Sequence, residues 1–109
     1  VKWKYLLWID DERAVPEKMK SVFEEIIICK TYNQAKDWLD KVKDNKLDGT
    51  VFVAFDHDLG GKKTGYDLAK YIVANNIKID GFECHSFNLV GYKNIKELLL
   101  HYNYKIFEI

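Results

Sequence analysis

Short apolar runs alternate with longer segments of helical period along this chain, and that alternation limits the fold more than any other feature. The runs are Lys4–Ile9, Ile26–Thr31, Val51–Phe55, Phe82–Ser86 and Tyr104–Ile109. The first and third are apolar almost without a break, as strands covered on both faces should be. Ile26–Thr31 is short and β-branched, which also suits a strand. The last run alternates and reads as an edge strand.

The intervening segments carry helix signals. Pro16 suits a first helical turn, with Met19, Val22 and Phe23 following on one apolar face. Thr31 and Gln34 have capping-box spacing, and Ala35, Trp38, Leu39 and Val42 then recur at i, i+3, i+4 and i+7. Thr64 with Asp67 can cap a third helix whose Leu68, Ala69, Ile72 and Val73 face inward. Ile95, Leu98 and Leu99 mark a fourth. The sum is β-α-β-α-β-α-β-α-β, which implies a parallel sheet with helices on both faces. Right-handed crossovers leave few topologies. The expected architecture is a three-layer, flavodoxin-like α/β fold with five parallel strands in the order 2-1-3-4-5. With 109 residues, one domain over 1–109 is expected.

Seventeen basic residues balance 17 acidic ones, so bulk charge would recruit neither DNA nor a membrane surface. DNA binding and membrane association are not expected. No signal peptide and no membrane span is expected, because the apolar start meets Asp10 and Asp11 at once. Cys29 and Cys84 fall in predicted strands two and four. They would lie roughly 14 Å apart at the usual strand spacing, too far for a disulfide. Buried thiols in a reducing, cytoplasmic setting are the expectation.

Ligands of open parallel sheets bind beyond the carboxyl ends of the strands, near the switch in strand order. Strand one ends in Asp10-Asp11-Glu12-Arg13 and strand three in Asp56-His57-Asp58. Strand four ends in His85-Ser86, with Asn88 beyond. Strands one and three are neighbours, so Asp10, Asp11, Asp56 and Asp58 share one rim. Clustered carboxylates repel one another, and either protons or a cation must relieve them. Oxygen-only donors suit Mg²⁺ or another hard divalent cation. Each acid alone could instead face solvent, with Asp11 capping the first helix; the cluster favours a cation.

His57 and His85 are candidate proton donor and acceptor, although His57 could equally pack beneath a helix. Ser86, Asn88 and Arg13 could hold a phosphate, and Gly91 opens a helix N-terminus. Lys62 and Lys63 read as solubilising residues of a glycine loop. His101 reads as a helix-end residue.

These motifs resemble the response-regulator receiver domain, in which Asp10 and Asp11 would match the metal-binding acids and Asp56 the phosphoacceptor. A closer resemblance is to the receiver-like family that processes cyclic phosphates. The matching segments are Asp10-Asp11-Glu12-Arg13, Asp56-His57-Asp58-Leu59-Gly60, Thr64-Gly65-Tyr66-Asp67 and His85-Ser86-Phe87-Asn88-Leu89-Val90-Gly91. Leu89 stands where that family usually has proline. Ordinary receivers end strand five with a phosphate-sensing lysine. Here Lys105 falls early in Tyr104–Ile109, and a fifth helix is not expected. That departure argues against phosphorelay.

The resemblance implies a metal-dependent phosphoesterase acting on a cyclic nucleotide or a 2′,3′-cyclic phosphate end of RNA. Asp10, Asp11 and Asp56 would hold the metal. His57, His85 and Asp58 would be catalytic, and Arg13, Ser86 and Asn88 would bind phosphate. A phospho-accepting signalling domain and a non-catalytic nucleotide- or protein-binding module are the alternatives.

Overall fold

The most apolar run forms a strand buried at every position, Val51–Phe55. In the computed structural model, which describes residues 3–107, it is the third of four strands. The elements are β1 (Trp3–Ile9), α1 (Glu17–Lys20), β2 (Phe23–Cys29), α2 (Tyr32–Lys43), β3 (Val51–Phe55), α3 (Gly65–Ala74), β4 (Gly81–Cys84) and α4 (Leu89–His101). All strand pairs are parallel, in the order β2-β1-β3-β4.

Alternate residues of the central strands feed two cores, because side chains along a strand point to opposite faces. Leu7, Ile9, Val53 and Phe55 meet Ala35 and Leu39 of α2, Leu68, Ala69 and Ile72 of α3, and Ile95 and Leu99 of α4. Leu6, Trp8, Phe52 and Ala54 meet Val15, Met19 and Phe23 on the other face. Each fully buried Leu, Ile or Phe contributes about 1.5–3 kcal/mol by leaving water. The larger core therefore fixes the sheet, and with it the positions of the strand ends.

Local signals set the helix starts. Thr64 and Asp67 form the expected reciprocal capping box, with backbone-to-side-chain bonds of 2.8 and 3.2 Å. Thr31 accepts from the Gln34 N–H at 3.2 Å. The Gln34 side chain reaches past it to accept from the Lys30 N–H at 2.8 Å. Asn88 caps α4 by accepting from the Gly91 N–H at 2.9 Å.

Three expectations need correction. The first helix is one turn, and Phe23, expected on its apolar face, opens β2 instead. Ring contacts of Phe23 with Trp3 and Phe52, at 6.3 and 5.5 Å, favour the sheet there. Strand two accordingly begins before Ile26 and ends at Cys29.

The fifth strand is the third correction. Within the described residues it is a single parallel bridge between Phe82 and Ile106, made by Phe82 N–H to Lys105 O and Phe107 N–H to Phe82 O, both 2.9 Å. Tyr104 is still tied to the preceding turn, its N–H on Leu99 O and its hydroxyl on Ile77 O. Residues 108 and 109 of that run lie outside the described residues.

Cys29 and Cys84 are free thiols. Burial pushes them up to about 11 and about 12, with the Glu83 carboxylate adding to the shift at Cys84. Among the described residues no helix is long and apolar enough to cross a membrane.

Candidate metal and phosphate site

The ends of β1 and β3 bring three carboxylates together. Oxygens of Asp10, Asp11 and Asp56 all lie within 4.8 Å of one another. Asp10 is 2% exposed and Asp56 9%, so neither is free to relax into water. The trio lines a hollow of about 340 Å³ with Glu12, Arg13, Asp58, Gly60, Ser86 and Phe87.

The turn after β1 folds around Asp10. Its Oδ1 accepts from the Glu12 and Arg13 N–H groups at 2.8 and 2.9 Å, which aims the following residues at the hollow. Gly60 closes the opposite wall at φ +70°, where a Cβ would come within 2.8 Å of Asp11 Oδ2. Only glycine allows both that backbone conformation and that approach.

Burial pushes the Asp56 carboxyl above its ordinary range, and the neighbouring Asp10 charge pushes it the same way. A hydrogen bond from Ser86 and the presence of His85 pull it part of the way back. Burial and a like charge both disfavour the ionised form. A bound cation relieves both, and three oxygen donors suit a hard divalent ion such as Mg²⁺. The donor set therefore fits the metal that the sequence suggests.

His85 lies behind the trio. Its Nε2 is 3.0 Å from Asp10 Oδ2 and its Nδ1 is 2.6 Å from Glu83 Oε1. The ring stacks on Trp8 with centroids 4.0 Å apart and planes 6° from parallel. Ala54 sits between Trp8 and Glu83 in register, and its small side chain leaves room for the His85 ring to reach Trp8 across β3. The Trp8 indole N–H is anchored on Arg13 O at 3.0 Å.

His57 lies on the other face. Its ring meets the start of α4 at Gly91, where a Cβ would fall 2.2 Å from Cγ. Nδ1 is 3.0 Å from Asp58 Oδ1 and 3.2 Å from Asn88 Nδ2. One nitrogen cannot donate to Asp58 and accept from Asn88 at once, so the tautomer decides which bond forms.

The expected residues thus separate. Asp10, Asp11, Asp56, Asp58, Arg13 and Ser86 share the hollow. His57 and His85 do not line it and lie on opposite faces of the sheet, so the pairing of two imidazoles over one phosphate is corrected. Asn88 is committed to capping α4 and to His57, because the helix start needs its oxygen. Lys63 lies over the Tyr32 ring at 5.5 Å, lining a neighbouring hollow with Lys62. His101 is exposed in the last turn of α4.

Glu83, Trp8 and Phe87 escaped the sequence reading. Glu83 and His85 are two apart in the apolar run Phe82–Ser86, and an extended chain puts them on one face, which was the available signal. Phe87 is an apolar residue between the polar Ser86 and Asn88.

An acid pair after β1, an acid after β3 and a hydroxyl after β4, on a parallel 2-1-3-4 sheet, define a receiver-like domain. More narrowly, the chain belongs to the family described as the cyclic-phosphate processing receiver domain, whose model matches residues 5–101. No curated protein and no solved structure matches it.

Proposed function

We propose that the chain is a metal-dependent phosphoesterase that opens a cyclic phosphate, either a cyclic nucleotide or a 2′,3′-cyclic phosphate end of RNA. The observation that carries this reading is the approach of three carboxylates, two of them buried, within 4.8 Å, in a chain whose family processes cyclic phosphates. Asp10, Asp11 and Asp56 would hold Mg²⁺ or a similar cation. When bound, such an ion polarises a phosphoryl oxygen.

The chain's own groups have separate tasks. Arg13 holds phosphate oxygens in the hollow, and the Ser86 hydroxyl joins it by turning its one proton from Asp56 once a cation holds that carboxylate. Asp58, an acid of the hollow outside the trio, takes the proton of the attacking water, with His57 behind it at 3.0 Å, and returns it to the ester oxygen freed as the ring P–O bond breaks. His85 does not transfer protons to substrate in this scheme; it fixes Asp10.

Hydrolysis of a panel of cyclic phosphates, with and without Mg²⁺, tests the proposal. Metal-dependent turnover that falls in Asp58→Asn is expected. No turnover across the panel by folded protein would overturn it, and tight binding without turnover would favour a binding module. Phosphoryl transfer to Asp56 is disfavoured by the position of Lys105. That lysine lines a cleft with Ile79 and Asp80, at the end of β4 remote from Asp56.

A further inference from the structure

Phe87 is 91% exposed, although full burial of such a ring is worth about 1.5–3 kcal/mol. It lines the same hollow as Asp10, Asp11 and Asp56. The Arg13 guanidinium lies over its ring, 4.2 Å from the centroid. Both partners have fixed backbones. The Arg13 N–H is held by Asp10 and its carbonyl by the Trp8 indole, at 2.9 and 3.0 Å. Ser86 and Asn88 bracket Phe87, with the Asn88 N–H on Ser86 Oγ at 3.1 Å and the Asn88 side chain capping α4. An exposed aromatic ring thus stands on a braced backbone, against Arg13, at the edge of the hollow.

We infer that Phe87 and Arg13 form a stacking platform for the nucleobase of the substrate. The inference rests on the phosphoester reading of the hollow and deepens it by assigning the side chains that meet the base. A flat ring stacks on phenyl and guanidinium planes alike, and such stacking tolerates any base. A stacked guanidinium also keeps its N–H edge free, so Arg13 can meet the phosphate while its plane rests on Phe87. Base-free cyclic phosphates would fill the hollow and leave the platform bare.

Equilibrium binding separates this inference from the catalytic reading. The ligands are adenosine 2′,3′-cyclic phosphate and the base-free methyl riboside 2′,3′-cyclic phosphate, each titrated calorimetrically in Mg²⁺. Wild type should bind the base-bearing ligand more tightly, by about tenfold given the usual worth of one stacked base. Phe87→Ala should bring the two affinities together, while Phe87→Trp should keep them apart. The exposure of Phe87 makes both variants safe for folding. Equal affinities in wild type, failure to bind either ligand, or a Phe87→Ala variant that retains the preference would overturn the platform. The last result would leave Phe87, with exposed Leu89 and Val90, as a protein-docking rim. A base preference without turnover would support the platform and count against the phosphoesterase; turnover with no base preference would do the reverse.

Discussion

Asp10 and His85 are joined across the carboxyl end of β3, with Oδ2 of one 3.0 Å from Nε2 of the other, and Glu83 holds the far ring nitrogen at 2.6 Å. Asp10 also accepts two backbone N–H bonds through Oδ1, so both of its oxygens are aimed before any cation arrives. Partners of this kind commonly change metal affinity by about 10–100-fold when removed. Glu83→Gln should therefore weaken divalent-ion binding by about tenfold, and His85→Ala by more. Calorimetric titration with Mn²⁺ or Mg²⁺ measures it. Unchanged affinity in folded variants would show that the Asp10–His85–Glu83 chain is not part of the cation site.

Asp56 opposes folding while its carboxyl is ionised. Its folded-state pKa is raised, chiefly by burial and then by Asp10. The native state therefore keeps a proton that the unfolded chain has lost. By linkage, stability contributed by the protonated form is full below the unfolded pKa and is lost as pH rises through the folded one. Asp56→Asn should accordingly raise Tm at pH 7 without divalent ions. It should also flatten the decline in stability with pH above the ordinary carboxylate range, and abolish any Tm gain from added Mg²⁺. Thermal melts from pH 4 to 8 check all three. A lower Tm at pH 7 would mean that the Ser86 hydrogen bond outweighs the cost of burial.

Strand ends were more legible in the sequence than side-chain directions. Val51–Phe55 had to be a central strand because nothing polar interrupts it, and Asp56 then had to stand at its carboxyl end. Asp10 and Asp11 followed from the same logic. His57 and His85 have equally clear positions along the chain, but one residue of register decides which side of the sheet a ring takes. The tail illustrates a different limit. Its alternation is genuine strand patterning, yet Tyr104 remains tied to Leu99 and Ile77. Tertiary contacts there outweigh local preference. Phe23 moved from helix to strand for the same reason, drawn by Trp3 and Phe52.

Gly91 and His57 share one volume. A methyl group at Gly91 would lie 2.2 Å from His57 Cγ and 2.4 Å from Cδ2, and the ring is walled in by Asp58 and Asn88. Gly91→Ala should therefore cost about 1–3 kcal/mol, the usual penalty for overpacking. Removing the ring should relieve the clash, so Gly91→Ala combined with His57→Ala should be less destabilised than the two single costs added together. Urea denaturation of the four-member cycle measures the coupling. Additive costs would show that α4 can shift away from β3 without strain, and that His57 does not set the spacing.

Leu89 can be replaced by proline with a gain in stability. It is the first residue of α4 after the Asn88 cap, where the N–H has no partner within the helix and the fixed φ of proline suits the turn. The residue before a proline must be extended, and Asn88 already is, at φ −81° and ψ 96°. The Leu89 side chain is 78% exposed, so little packing is lost. The Asn88 oxygen bonds the Gly91 N–H, which the substitution leaves in place. What remains is the reduced freedom of the unfolded chain, worth about 0.4–1 kcal/mol. Leu89→Pro should then raise Tm by about 2–6 °C, a shift of the size expected for a domain of about 100 residues. Because the gain comes from the unfolded state, Mg²⁺ affinity should not change. A lower Tm would show that the Leu89 N–H bonds a group outside the helix, or that the cap must leave its extended geometry to close on His57.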